Sequence, residues 1–181
     1  MKADNKDFTS ENTELEQLDA IGRVAWAWGR FGEDLVVSTS FGLQSAVMLH
    51  LVSKVNKEIP IIFVDTGYLF PETYEYAETL CEKLGIRPKT FSSGLSQAYQ
   101  EIRFGKLWEQ GAEGMERYNL MNKVEPMQRA LKELNAKGWL SGLRRGQSES
   151  RAERTYVEAQ NGTVKIYPIL DWDDRTTYEY L

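Results

Sequence analysis

One cysteine, one histidine and five prolines in 181 residues exclude several chemistries at once. A lone Cys81 leaves no internal disulfide, no Cys-only zinc site and no four-cysteine iron–sulfur cluster within this chain. A lone His50 removes the His-rich metal centres. No run of about 18 apolar residues occurs, so no segment reads as a membrane-spanning helix. Positive charge is also in short supply. Twenty-two Lys and Arg face 27 Asp and Glu, for a net charge of −5 and a pI near 5.1. A general nucleic-acid binder needs the opposite balance. Any anionic ligand has to be captured by a local cluster of cations. The first 19 residues are polar and acid-rich and do not read as a signal peptide. These absences predict a cytoplasmic protein with no membrane and no nucleic-acid partner.

What is present suits one ordinary domain. The chain is 41% hydrophobic, with five Trp and nine Tyr, enough for a core. Residues 1 to 12 read as a disordered, frayed N-terminus, and 13 to 181 as a single nucleotide-binding domain. Leu15, Leu18, Ile21, Gly22 and Ala25 recur at helical spacing, which predicts one helix over 13–30. Strands are expected at Leu35–Ser38, Pro60–Asp65, Lys89–Phe91 and Trp139–Ser141, with helices between them at 43–55, 71–84 and 126–135. Polar helical segments fill 95–121. Pro71 suits a first helical turn and Gly85 a helix end. Tyr156–Ala159 and Lys165–Tyr167 read as a hairpin through Asn161-Gly162. This alternation predicts an α/β fold, an open, doubly wound, mostly parallel sheet. Ligands of such sheets bind at the carboxyl ends of the strands. The chain's last stretch, Asp171 to Leu181, reads as a helix capped by Asp173 or Asp174 and just begun. A further C-terminal segment is expected beyond it.

Two features suggest chemistry. The first is the stretch Ser38 to Ser45, a polar Ser/Gly loop between a buried strand and an apolar helix. Loop N–H groups and the free N–H groups of a first helical turn converge on one anion. The loop has no Walker lysine and no G-x-G-x-x-G. It resembles the pyrophosphate loop S-G-G-x-D-S of the adenine nucleotide alpha-hydrolase group, with Phe41 in place of the first Gly and Gln44 in place of the Asp. In ATP-cleaving members that Asp helps to hold Mg²⁺, so a neutral Gln44 argues for a nucleotide handled without metal-assisted cleavage. The second feature is cationic. Lys123 precedes a predicted helix. Arg144, Arg145 and Arg151 follow Gly142, where the backbone can approach a ligand closely. Arginine forks suit phosphate or sulfate oxygens; a solvated basic loop is the alternative.

Three further stretches stand in order behind the loop: Asp65-Thr66-Gly67-Tyr68-Leu69-Phe70-Pro71; Lys123-Val124-Glu125-Pro126-Met127; and Trp139 through Arg151, followed by Pro168-Ile169-Leu170-Asp171-Trp172. With the loop, they make the chain resemble the assimilatory phosphoadenosine phosphosulfate (PAPS) reductases from about residue 15 onward. The resemblance implies that Ser38, Ser40, Gly42, Gln44 and Ser45 line an anion loop. It implies that Thr66 and Gly67 lie along the adenosine. Lys123, Gly142, Arg144, Arg145 and Arg151 would meet phosphate or sulfate oxygens. It further implies a C-terminal tail whose cysteine thiolate attacks the sulfate sulfur. The products would be adenosine 3′,5′-bisphosphate (PAP) and an enzyme S-sulfocysteine, from which reduced thioredoxin or glutaredoxin releases sulfite. A homodimer is common in the family.

This chain departs from the pattern at the nucleophile. Cys81 shares a helical face with Tyr74, Ala77 and Leu84 and reads as a packing residue. No catalytic residue is therefore expected among these residues, and the chain as given is expected to bind nucleotide without turnover. The related iron–sulfur adenosine 5′-phosphosulfate reductases carry a cysteine pair where Tyr118 and Asn119 stand here, so no cluster or other bound cofactor is expected. His50, Trp26 and Trp28 read as structural. Asp171 to Asp174 read as a cap and a solvated acidic turn. Two other readings remain open: an ATP-cleaving adenylyltransferase or thiolation enzyme on the same fold, and a non-catalytic nucleotide-binding protein.

Overall fold

The computed structural model describes residues 7–42, 45–160 and 162–181. Its centre is a six-stranded sheet of β1 (Leu35–Thr39), β2 (Ile61–Asp65), β3 (Lys89–Ser92), β4 (Gly138–Leu140), β5 (Val157–Gln160) and β6 (Thr163–Ile166), in the order β3-β2-β1-β4-β6-β5. All neighbours are parallel except the β5–β6 hairpin. The predicted open parallel sheet is present, with an antiparallel edge. Asn161, part of the expected hairpin turn, lies outside the described residues.

Strand residues alternate between two cores because successive side chains point to opposite faces. Leu35, Val37, Ile61, Phe63, Leu140 and Ile166 face one side. There they meet α2 (Ala20–Phe31), α3 (Ser45–Val55) and α4 (Pro71–Leu84). Val36, Ile62, Phe91 and Trp139 face the other side, where α7 (Glu125–Glu133) supplies Met127, Ala130 and Leu131. The second face is covered less completely, and this opens a cleft over Trp139. Helices α5 (Gln97–Phe104) and α6 (Gly111–Asn119) join β3 to α7.

The amino end departs from expectation. Phe8 is buried and α1 runs Thr9–Glu16, so residues 7–12 are ordered structure. Asn12 explains this: its amide donates to the Val157 carbonyl and its oxygen accepts the Val157 N–H. The helix expected over 13–30 is two helices. Asp19 breaks the run by capping α2, accepting from the Gly22 N–H at 2.7 Å. Residues 1–6 lie outside the described set. Elsewhere the boundaries fall close to those expected. Gly85 closes α4 in the left-handed region, φ 65°. Asp173 caps α8 (Asp174–Tyr180) by accepting from the Thr176 N–H. Asp171 is exposed, as expected of a solvated turn, but it is also paired with buried Arg23.

Candidate functional site

The strand order reverses between β1 and β4, and a cavity of about 1420 Å³ opens there. That exceeds the roughly 300–1,000 Å³ of a typical small-molecule pocket, so a nucleotide fits with room to spare. Its upper wall is the loop after β1: Ser38, Ser40, Gly42 and Ser45 all line it. The loop is shaped by local hydrogen bonds. The Phe41 N–H donates to Thr39 Oγ1 at 3.1 Å, and the Ser45 hydroxyl and N–H both donate to the Gly42 carbonyl. Gln44, expected in the same wall, lies outside the described residues.

Phe41 occupies the left-handed region at φ 51°, a conformation glycine takes at lower cost. The resemblance noted a Gly in this place. Here the strain is offset by burial: the Phe41 ring sits edge-on to Phe63 with centroids 4.9 Å apart.

The next wall comes from β2. Thr66 is buried and lines the cavity. The Asp65 carboxylate accepts from the Gly67 N–H at 2.8 Å and from the Tyr74 hydroxyl at 2.7 Å, which fixes the turn. Burial and the Asp65 carboxylate push the Tyr74 phenol up to about 12, so it stays a donor. Gly67 is not brought to the cavity; its φ of 73° serves the turn, and a side chain there would press on Gln97.

Lys123 reaches the cavity from a π-helical turn, Leu120–Val124, that leads into α7. The wider turn directs Asn122 inward, fully buried, while Lys123 faces out to the cavity. Asn122 is held by a reciprocal amide pair with Gln100, at 2.9 and 3.0 Å. π-Turns of this kind recur at functional sites.

The arginine loop divides. Arg151 lines the cavity and donates to Gln147, which lines it too. Gly142 also lines it, but its lack of a side chain has a packing cause: a Cβ would fall 2.8 Å from Met48 Cγ. Arg144 and Arg145, expected to meet ligand oxygens, do not line the cavity. The Arg144 guanidinium is buried against Asp174, Nη2–Oδ1 2.8 Å. Arg145 donates to the Arg154 carbonyl and stacks over Tyr156. The backbone causes this: the Arg145 N–H is bonded to the Leu170 carbonyl, which turns the loop back toward α8.

The cavity floor holds what the sequence did not reveal. Trp139 lines it, its indole N–H donating to Ser38 Oγ at 2.7 Å. Lys165, opposite Trp139 in register, rests its ammonium 3.7 Å from the ring centroid. Burial, helped by Arg154, pulls the Lys165 ammonium down to about 8.

A nucleotide-sized cavity at a switch point, with a serine loop at a helix start and cations from three directions, narrows the comparison with known proteins. Residues 34–181 match the phosphoadenosine phosphosulfate reductase domain. A phosphoadenosine 5′-phosphosulfate reductase of Klebsiella pneumoniae is 56% identical over 170 residues, covering 94% of this chain and 70% of that protein. The chain belongs to the phosphoadenosine phosphosulfate reductase family. Among solved structures, a PAPS reductase from Candida auris, in a phosphate complex, superposes with a TM-score of 0.82 at 29% identity. That match covers 99% of this chain and 86% of the other. An NMN synthetase from Francisella tularensis shares only the fold, with a TM-score of 0.58 at 16% identity over 97% of this chain and 70% of the other.

For a PAPS reductase domain, the position of the one thiol matters. Cys81 packs from α4 against the larger core beside Tyr74 and Leu84, on the face opposite Trp139. It does not line the cavity. Burial, with Glu78 nearby, raises its thiol, which makes it a poor nucleophile. His50 likewise has a structural partner, the Tyr180 hydroxyl at 3.0 Å from Nδ1. No helix among the described residues is long and apolar enough to cross a membrane.

Proposed function

We propose that this chain binds 3′-phosphoadenylyl sulfate for reduction to sulfite and PAP in assimilatory sulfate reduction, with thioredoxin or glutaredoxin as the electron donor. The observation that carries this is the cavity at the β1/β4 switch point, which gathers Lys123, Arg151 and Lys165 in a chain of net charge −5. The identity to curated PAPS reductases supports the substrate.

In this reading Ser38, Ser40, Gly42, Gln44 and Ser45 receive one anionic group at the start of α3, where the loop N–H groups and the helix dipole favour it. Thr66 lies along the adenosine. Lys123 and Arg151 neutralise oxygens at the rim. These cations oppose the charge that develops on the leaving phosphate when a thiolate attacks the sulfate sulfur. No thiol stands at the cavity among the described residues, so these 181 residues hold the nucleotide without turning it over. The proposal includes no bound cofactor, no iron–sulfur cluster, a cytoplasmic location and a homodimer.

Calorimetric titration with PAP and with Mg-ATP tests it. Tight PAP binding and weak Mg-ATP binding are expected. The reverse preference moves the chain to the ATP-cleaving enzymes that share the fold.

A further inference from the structure

We infer that Lys165 supplies the cation for the second anionic group of the bound nucleotide, the phosphate that a nucleoside monophosphate lacks. This rests on the cavity being the PAPS site. It adds a residue to which the preference for a 3′-phosphorylated ligand can be assigned.

Three observations carry it. First, Lys165 is an interior cation of the cavity, set one strand in from the edge and directly across from Trp139. Lys123, by contrast, is exposed, and Arg151 is engaged by Gln147. Second, its charge is unmatched. Among the described residues Lys165 makes no hydrogen bond and no ion pair. Glu158, the carboxylate whose field reaches it, is taken by Arg154 at 2.5 Å. The Trp139 ring face, with the more distant Tyr167 ring 5.6 Å away, gives partial compensation only. A cation withdrawn from water without an anion is costly to keep, and the pull on its proton from burial and two arginines reports that cost. A phosphate in the cavity removes it.

Third, the placement selects which phosphate. The indole of Trp139 is tied at one side to Ser38, where the serine loop begins, and covered at the other by Lys165. A ligand whose first anion sits on the loop at the start of α3 therefore meets Lys165 with a group farther along the molecule. A bisphosphorylated nucleoside has such a group. Adenosine 5′-monophosphate (AMP) does not.

Calorimetry with PAP and AMP on the unmodified chain and on Lys165→Met tests this. Methionine keeps the apolar stem against Trp139 and removes the charge. The expected result is a loss of PAP affinity of about 10- to 100-fold, the scale of a charge-assisted hydrogen bond, with AMP affinity unchanged and Lys165→Arg recovering part of the loss. Equal losses for PAP and AMP, or no loss for PAP, overturn the assignment. If the unmodified chain binds neither nucleotide, the site reading itself falls. A second measurement needs no variant. Acylation of Lys165 near pH 8, read by peptide mass spectrometry, should be blocked by PAP and not by AMP. Equal labelling in both overturns the assignment even if Lys165→Met fails to fold.

Discussion

Arg23 and Asp171 meet in a two-pronged ion pair, Nη1–Oδ1 2.6 Å and Nη2–Oδ2 3.0 Å, although 148 positions separate them. The guanidinium is buried. Its remaining donors reach the Leu15 and Pro168 carbonyls and the Tyr156 hydroxyl. One side chain thus ties α1, α2, the β5–β6 hairpin and the segment before α8. Since Leu170 in that segment anchors Arg145, the knot also sets the course of the arginine loop. Arg23→Met strands several buried acceptors and should lower the unfolding free energy by about 3 kcal/mol, read from urea melts.

Asp171 adds a pH signature. Partial burial pushes its carboxyl up, but hydrogen bonding and charge from Arg23 outweigh this and hold it below the usual carboxylate range. The folded value lies under the unfolded one. The contribution is therefore complete above about pH 4 and disappears as pH falls through the folded value. Asp171→Asn should flatten the acid limb of the stability profile. A limb unchanged by the variant would contradict this.

Lys165 has the same slope in a higher pH window, although here the shift is a cost to the charged form and not a gain. Its folded value is about 8 against an unfolded value of 10.5. Between those values the unfolded chain holds more protons, so stability rises with pH across that window. The groups that act on it are Arg151 and Arg154, which lower it, and Glu158, which raises it. Lys165→Met should remove the rise. PAP affinity in the unmodified chain should weaken as pH passes about 8, because the neutral amine no longer attracts phosphate.

The buried amide pair offers a double-mutant test. Asn122→Leu leaves Gln100 without its partner, at a cost of about 1–3 kcal/mol, and loosens the π-turn that carries Lys123. Replacing both residues by Leu should recover part of the stability without restoring PAP affinity. Thermal unfolding and calorimetry on the three variants separate the two effects.

The arginine loop predicts a contrast. Lys123→Met, on the cavity, should weaken PAP binding by about tenfold. Arg144→Met, at the Asp174 pair away from the cavity, should lower thermal stability and leave PAP affinity largely intact. Equal losses of affinity in both would return Arg144 to the ligand.

The legible parts of this molecule are the local ones. The apolar strands, Pro71, Gly85 and the Asp173 cap are decided by a few neighbouring residues, and the serine loop is one continuous stretch. Strand and helix alternation then dictates where such a loop must lie. The illegible parts depend on partners far along the chain. Phe8 and Asn12 look like a frayed end until Val157 is beside them. Arg144 and Arg145 look alike, and only the bond from the Arg145 N–H to Leu170 turns them from the cavity. Lys165 reads only as the first residue of a hairpin arm. Its register against Trp139, set across the sheet, makes it a cavity residue.

The most direct measurement is a crystal structure of this chain with PAP. Adenosine bisphosphate is expected across the β1/β4 switch point, one phosphate on the loop at the start of α3 and the other within hydrogen-bond reach of Lys165. An empty cavity at saturating PAP, or a nucleotide bound elsewhere on the molecule, would contradict it.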